Sequence, residues 1–317
     1  MSAAPLAYVE AGRCWVCGSH GGARCHEAVL EFNAWREQDP ALAAYTGQTI
    51  WLRRCAICGF AQPERLPALP RYFERMYDQQ WSREWVAHEF ESSYKDAIFT
   101  RILSALEARV TAAPRTLLDI GSHAGRFLHL AARAGWQAEG TEINPRTAEY
   151  AAQRTRATVH RVRAEDIGSL GRTFAAVTLT DVLEHIPEPL AMLSTARRAL
   201  CDGGWISVKV PCGPVQLFKE TWRARLQRGY RATVADNLVH VSHFSPRSLR
   251  LALERAGFEH VTVEIAAPEC PPASSMSTAA RLALYEFGRI VPGGLHTPLA
   301  LHLQAFARRS ARADTPR

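Results

Sequence analysis

The sequence predicts an α/β protein in which a doubly wound, parallel sheet of seven strands follows a small cysteine-rich module. Two observations lead to this prediction. From about residue 114, strand-like apolar segments alternate with amphipathic helical segments, which is typical of a doubly wound sheet. Five of the eight cysteines fall before residue 60, and four of them form two Cys-x-x-Cys-Gly segments. This clustering indicates a separate N-terminal module.

Length, composition and charge are those of an ordinary globular protein. The 317 residues suffice for one large domain with a small appendage, or for two modest domains. No apolar run is long enough to cross a bilayer. The first residues lack a basic region followed by an apolar core, so we expect no signal peptide, no membrane partner and a cytoplasmic location. The net charge of +7 permits an anionic partner without requiring one.

The two cysteine segments, CWVCG (14–18) and CAICG (55–59), have the spacing of metal-binding knuckles. The two-residue gap lets both thiolates of a pair reach one ion, and the glycine permits the tight turn. Flanking strand-like pieces, IWLRR and FAQPE, are typical of a zinc ribbon. Four thiolates leave no open position, so we predict a structural Zn²⁺ bound by Cys14, Cys17, Cys55 and Cys58. The alternatives are a redox pair or ordinary buried cysteines, with Cys25 and His26 as substitute ligands.

The strands and helices of the sheet domain follow one another along the chain. The predicted strands are TLLDI (116–120), QAEGTEI (137–143), one within ATVHRVRAEDI (157–167), FAAVTLTDVL (174–183), GGWISVKVP (203–211), EHVTVEI (259–265) and PLALHLQAFARR (298–309). Helices are predicted over 125–134, from Pro145, and over 245–258 with Ser245 as the N-cap. Ligands of such sheets bind beyond the carboxyl ends of the strands.

The turn after the first strand, GSHAG (121–125), would bring backbone against a ligand at that edge. Gly121 and Gly125 permit close approach, and the N-terminus of the following helix favours a ligand there. The turn matches neither the G-x-G-x-x-G of dinucleotide sites nor the G-K-[S/T] of a P-loop. Neither of these two nucleotide-binding patterns therefore accounts for the turn.

Several motifs together resemble the class I S-adenosyl-L-methionine-dependent methyltransferases. LLDIGSHAGRFL looks like the first motif of that family, and GTEINP and AEDI resemble its second and third. The run from FAAVTLTDVLEH to SVKVP resembles the fourth and fifth, and SPRSLRLALERAGF resembles a late helix of the small-molecule branch. The resemblance covers residues 114–309, with the motifs in the family's order. It implies a Rossmann-like methyltransferase sheet with S-adenosyl-L-methionine as cofactor.

The resemblance also implies a set of cofactor-binding residues. They are Asp119, Gly121, Ser122, Gly125, Glu142, Glu165, Asp166 and Asp181. In the family, the residue matching Glu142 holds the ribose hydroxyls, and the one matching Asp119 helps to hold the glycine turn and the methionine amino group. Glu165 or Asp166 would accept from the adenine amino group. The chain departs from the pattern at His123, where the family has Gly; we interpret it as a tolerated substitution, the alternatives being a specific role or a weakened cofactor site.

Two histidines are the predicted catalytic residues. Methyl transfer requires alignment of the nucleophile and removal of its proton, and histidine suits the second task near neutral pH. A narrower resemblance to zinc-ribbon sugar C-methyltransferases, carried by the paired knuckles, REWVAH and LVHVSHFS, implies that His240 is the general base. That family has Glu where this chain has Val239. His185 is the second candidate, a structural role is the alternative for each, and Glu184 could bind substrate or a divalent ion.

The sequence thus predicts three parts: a zinc ribbon over 1–70, a helical cap over 71–113 and a methyltransferase domain over 114–317, with insertions at 213–236 and 268–296. The aromatic residues of the cap could pack on the core or line a substrate pocket. The 213–236 insertion is expected to be a lid whose arginines could meet an anionic substrate.

The predicted function is methylation of a small-molecule acceptor at oxygen or carbon, such as a sugar or a natural-product intermediate. An RNA methyltransferase that uses the ribbon and arginines to bind phosphate is the first alternative. Nucleic acid is the less favoured partner, because TDVLEH lacks the Asn- or Asp-Pro-Pro-aromatic motif of amino-methylating nucleic-acid enzymes. The second alternative is a non-catalytic scaffold with a degenerate cofactor site.

Overall fold

The computed structural model describes residues 6–32, 39–111, 113–228, 236–270 and 275–310. The strands are β1 (Tyr8–Glu10), β2 (Ala23–Val29), β3 (Thr49–Arg54), β4 (Ala61–Pro63), β5 (Arg65–Pro67), β6 (Thr116–Ile120), β7 (Gln137–Thr141), β8 (Val159–His160), β9 (Phe174–Thr180), β10 (Leu200–Pro211), β11 (Phe258–Ile265) and β12 (His302–Arg309). The helices are α1 (Pro40–Ala43), α2 (Tyr72–Gln80), α3 (Arg83–Glu91), α4 (Asp96–Glu107), α5 (Arg126–Arg133), α6 (Pro145–Thr155), α7 (Pro189–Ala199), α8 (Gly213–Leu226), α9 (Pro246–Arg255) and α10 (Ser275–Ile290). None of the helices in these ranges is long and apolar enough to span a bilayer.

The central sheet has the strand order β11-β12-β10-β9-β6-β7-β8 within the described residues. The strands β6 to β10 pair in parallel, as the alternation of strands and helices predicts. Strands β6 and β9 lie in the middle and are buried along nearly their whole length, which explains their unbroken apolar runs. The predicted α/β fold with a seven-stranded sheet is confirmed.

The prediction of a wholly parallel sheet is wrong at its last strand. Strand β12 lies between β10 and β11 and runs antiparallel to both. The reason lies in α10, which packs at the carboxyl end of β11: a Cβ on Gly288 would lie 3.1 Å from Ile265 and 3.3 Å from Leu299. The chain therefore enters β12 from the same edge at which it leaves β11. Alternation of apolar residues does not encode strand direction, so the pattern could not show this.

The N-terminal module consists of a three-stranded sheet, β2-β3-β4, and the separate pair of β1 with β5. Strands β3 and β4 flank the second cysteine segment, as predicted. The module packs directly on the sheet domain: the rings of Phe60 and Phe244 lie 5.0 Å apart, and the backbones of Ala61 and His243 pair. The N-cap of α9, Ser245, donates its hydroxyl to the carbonyl of Cys58. The second cysteine segment and the sheet domain therefore share one packed interface.

Candidate active site

The turn between β6 and α5 is held tightly, at the carboxyl edge of the sheet. Gly121 and Gly125 have φ of +72° and +83°, the left-handed region that favours glycine. A Cβ on Gly121 would lie 2.6 Å from Val182. Ser122 is buried, and its hydroxyl lies 2.4 Å from where a Cβ on Gly140 would be. This hydroxyl faces the sheet, so only the backbone of Ser122 is available to a ligand.

We expect Gly121→Ala to destabilise the fold by about 1–3 kcal/mol, because it adds a clash with the side chain of Val182 to the strain of a positive φ. The matched control is Gly135→Ala, where φ is +83° but nothing lies within 4 Å of the new Cβ. The measurement is the free energy of unfolding from denaturant titration. Equal losses in the two variants would contradict the proposed contact with Val182.

Glu142 connects the end of β7 to the glycine turn. Its carboxylate accepts from the N–H of His123 at 3.1 Å and from that of Asn144 at 2.8 Å. Burial raises the pKa of Glu142, and the hydrogen bonds from backbone N–H groups oppose that rise. The structure therefore brings the predicted ribose-binding carboxylate to the predicted cofactor turn. Glu142 lies 19 residues after His123 in the sequence, and the parallel pairing of β6 with β7 brings the two together.

Asp119 lies beneath this turn and is only 4% exposed. It accepts the hydroxyl of Thr178 at 2.6 Å. Burial raises the pKa of Asp119 to about 7, although the hydrogen bond from Thr178 acts in the opposite direction. Among the adenine candidates, Asp166 is exposed and does not line the cavity described below, and the side chain of Glu165 lies outside the described part of the structure.

His123 fits the turn in the left-handed conformation, with φ of +45°. Its ring packs against Trp85 of α3, with ring centroids 4.8 Å apart. Burial lowers the pKa of His123 to about 4, so the ring is neutral at physiological pH. Its Nε2 is buried without a hydrogen-bond partner among the described residues. The substitution thus leaves the turn intact and places an imidazole beside the cavity.

Asp181, at the end of β9, lies between two lysines that the sequence analysis gave no role. Nζ of Lys209 lies 2.5 Å and Nζ of Lys95 3.3 Å from its carboxylate. Burial would raise the pKa of Asp181, but the charges of the two lysines hold it well below its usual range. Lysine is rare in this arginine-rich chain, and that rarity was the one sequence signal that could have marked these two lysines as site residues.

The two predicted catalytic histidines lie together, with ring centroids 4.7 Å apart. His185 lines the cavity, whereas His240 does not and lies behind it. Burial lowers the pKa of both rings. His243, the third histidine of this region, is buried at the interface with the N-terminal module, where its backbone pairs with Ala61. The structure therefore groups His185 with His240 and separates His243 from the cavity.

A cavity of about 1010 Å³ opens above the turn, a volume that suits a cofactor together with a small acceptor. Trp81 and Trp85 of the cap line it, while Phe90 of the cap is buried in the core and does not. Both interpretations of the cap aromatics therefore hold. The N-terminal module supplies a further wall, which includes Trp15. The described residues of the 213–236 insertion do not line the cavity. Residues 229–235 of this predicted lid lie outside the described part of the structure.

The four predicted metal ligands converge in the N-terminal module. One sulfur from each of Cys14, Cys17, Cys55 and Cys58 lies within 4.8 Å of the others. The Cys14–Cys58 and Cys17–Cys55 sulfurs are 3.6 and 3.5 Å apart. A tetrahedral ion with metal–sulfur bonds of about 2.3 Å would need edges of about 3.8 Å, so the four thiolates fit one ion. Cys25 is outside the group and donates to the carbonyl of Leu52.

Comparison with known proteins agrees with this geometry. Residues 88–263, more than half of the chain, match the model of a family described as "Methyltransferase domain". A ubiquinone biosynthesis O-methyltransferase of Cereibacter sphaeroides is 34% identical over 93 residues, 28% of this chain and 38% of that protein. One of Hydrogenovibrio crunogenus is 28% identical over 98 residues, 29% of this chain and 41% of that protein. The matched segments thus span less than half of these curated relatives.

Two solved structures show the same fold at low identity. The plantazolicin methyltransferase BamL, solved with a triazolic desmethylPZN analog and SAH, has a TM-score of 0.52 at 14% identity and covers 76% of this chain and 93% of its own. A second match is a chain from the complex between the Haloferax volcanii Trm112 methyltransferase activator and a methyltransferase. It has a TM-score of 0.50 at 16% identity, and the match covers 72% of this chain and 96% of that one. These two likenesses establish the Rossmann-like methyltransferase fold.

Proposed function

Because the chain belongs to the methyltransferase domain family, we propose that it is a class I enzyme that transfers a methyl group from S-adenosyl-L-methionine to a small-molecule acceptor. The observation that carries the proposal is the carboxylate of Glu142, which is bound to the glycine turn beside the cavity. A carboxylate at the end of the second parallel strand suits the two hydroxyls of a ribose. Its hydrogen bonds to backbone N–H groups orient it before any ligand arrives.

The charges around the turn suit the amino-acid part of the same cofactor. Asp119 and Asp181 offer carboxylates and Lys95 offers an ammonium group, and all three line the cavity. An amino acid carries one group of each sign, so this set complements it. When bound, the cofactor supplies an activated methyl group on a sulfonium. The protein has to align the acceptor with that methyl, exclude water and accept the acceptor's proton.

The cavity walls favour a small acceptor with an apolar body. Trp81, Trp85 and Trp15 approach from the cap and the N-terminal module and give this chamber aromatic walls. Of the predicted catalytic pair, His185 reaches the chamber and His240 supports it from behind. We propose that this pair activates an acceptor hydroxyl, since the curated relatives are O-methyltransferases by name.

We further propose that the four-cysteine group holds a structural Zn²⁺. Its spacing supports this assignment, and four thiolates leave the ion no position for substrate. The ion would fix the segment whose carbonyl at Cys58 accepts from the N-cap of α9.

The test of the enzyme function is a calorimetric titration of the zinc-loaded protein with S-adenosylhomocysteine. We expect micromolar binding, weakened in Glu142→Gln by about 10- to 150-fold, because charge-assisted hydrogen bonds contribute about 1.5–3 kcal/mol. The matched control is Glu139→Gln, on the same strand, where the carboxylate pairs with His160 and does not line the cavity. A folded, zinc-loaded protein that binds no S-adenosylhomocysteine would refute the proposal and favour the scaffold.

A further inference from the structure

Three side chains converge beside the acceptor chamber without a role in cofactor binding. One ligand atom from each of Glu184, His185 and His240 lies within 4.8 Å of the other two. They come from segments that are far apart in sequence, the turn after β9 and the stretch before α9. The backbone joins these segments, because the N–H groups of Val241 and Ser242 both donate to the carbonyl of Glu184 at 2.9 Å. The backbone itself therefore fixes the arrangement.

In each of the two histidines, Nδ1 has a hydrogen-bond partner. Nδ1 of His185 donates to the carbonyl of Val239 at 2.7 Å. The side-chain amide of Gln216 contacts Nδ1 of His240, with its nitrogen at 3.1 Å and its oxygen at 3.4 Å. Metal-binding histidines usually commit one ring nitrogen to such a partner, which orients the ring. The two rings thus have the support that a metal site needs.

Glu184 supplies an independent observation. It is 2% exposed, and its Oε2 has no hydrogen-bond partner among the described residues. Leaving a buried acceptor unsatisfied costs about 1–3 kcal/mol, so a group that satisfies this oxygen would stabilise the site. A bound cation would satisfy this oxygen.

We propose that Glu184, His185 and His240 bind a divalent transition-metal cation beside the acceptor. Two imidazoles and one carboxylate favour Mn²⁺, Fe²⁺, Co²⁺ or Zn²⁺ over Mg²⁺ and Ca²⁺, which prefer oxygen ligands. Three protein ligands leave positions open, and His185 faces the chamber, so the open side points towards the acceptor. The site is separate from the four-cysteine group, where no position is open.

The role of this cation rests on the proposed function. It would bind the acceptor hydroxyl and lower its pKa, so that the proton passes to solvent near neutral pH. The resulting oxyanion attacks the methyl carbon, a carbon–oxygen bond forms and the carbon–sulfur bond breaks, with its electron pair on sulfur. The products are a methyl ether and S-adenosylhomocysteine. In this arrangement the two histidines act as ligands.

Neighbouring charges set the expected affinity. Lys95 and Lys209 repel a cation, whereas Asp181, which is paired with both, attracts it. We therefore expect micromolar binding. The test is a Mn²⁺ titration of the zinc-loaded protein, with free Mn²⁺ followed by electron paramagnetic resonance. One Mn²⁺ per chain is expected in addition to the zinc.

Variants locate the ion and separate ligands from neighbours. Glu184→Gln and His240→Gln should each weaken Mn²⁺ binding at least about 10-fold, and Gln216→Leu, a positioning variant, about 10-fold. His160→Gln is the matched control, because His160 pairs with Glu139 at 2.7 Å away from the chamber. Each variant is also titrated with S-adenosylhomocysteine, and unchanged affinity there shows that the fold and the cofactor turn are intact.

Two outcomes would overturn the cation site: no stoichiometric Mn²⁺ binding to wild type, or wild-type affinity in Glu184→Gln. The two proposals fail independently. If S-adenosylhomocysteine binds and Mn²⁺ does not, the proposed function stands and the cation site is wrong. If Mn²⁺ binds and S-adenosylhomocysteine does not, the proposed function is wrong.

Discussion

Replacing Cys55 with serine is expected to abolish zinc binding and to unfold the N-terminal module. Structural zinc contributes about 10–16 kcal/mol in zinc-finger peptides, which is comparable with the whole stability of a typical domain. The effect should extend further, because Cys55 and Cys58 pack in the same buried cluster as Phe244 and Leu249 of the sheet domain. The measurements are zinc content by mass spectrometry and the unfolding transition, each compared with wild type.

Cys25→Ser is the control for this experiment. Cys25 lies in β2 of the same module, half-buried, but outside the four-cysteine group. This variant should keep one zinc per chain and a near-native transition. Zinc retained by Cys55→Ser, or lost by Cys25→Ser, would contradict the assignment of the ligands.

Features that depend on a few adjacent residues could be predicted from the sequence. The two Cys-x-x-Cys-Gly segments and the turn that contains Gly121 and Gly125 are local, since spacing and positive φ decide them. Ser245 was predictable for the same reason, and the structure shows its capping box with Ser248. The parallel pairing of β6 to β10 follows from the alternation of strands and helices, whereas their order does not.

Features that depend on distant residues could not be predicted. Lys209 lies within an apolar strand, and only the neighbouring ends of β9 and β10 bring it to Asp181. Lys95 reaches the same carboxylate from the start of α4. Gln216 and His240 meet because α8 returns towards the stretch before α9. A single sequence contains no spacing rule for such contacts, so the electrostatics of the site had to come from the structure.

Asp181→Asn is expected to destabilise the protein by about 3–5 kcal/mol, because it leaves a buried lysine without its partner. Lys209 is 0% exposed and lies 2.5 Å from the carboxylate of Asp181. The reverse change, Lys209→Met, should cost less, since Asp181 is partly exposed and retains Lys95 at 3.3 Å. The double variant should therefore recover part of the loss, with a coupling of about 2 kcal/mol between the two positions.

The pH dependence of stability supplies a second readout for this pair. The pKa of Asp181 in the fold lies well below its usual range, since Lys209 and Lys95 outweigh the effect of burial. A depressed pKa adds stability that is fully present above about pH 4 and is lost as the pH falls further. Denaturant titrations should therefore show a loss of stability in acid that is smaller in Asp181→Asn than in wild type. Glu259→Gln, an exposed carboxylate on β11, is the control and should leave the profile unchanged. An Asp181→Asn variant as stable as wild type at neutral pH, with the same acid profile, would mean that water rather than Asp181 compensates the charge of Lys209.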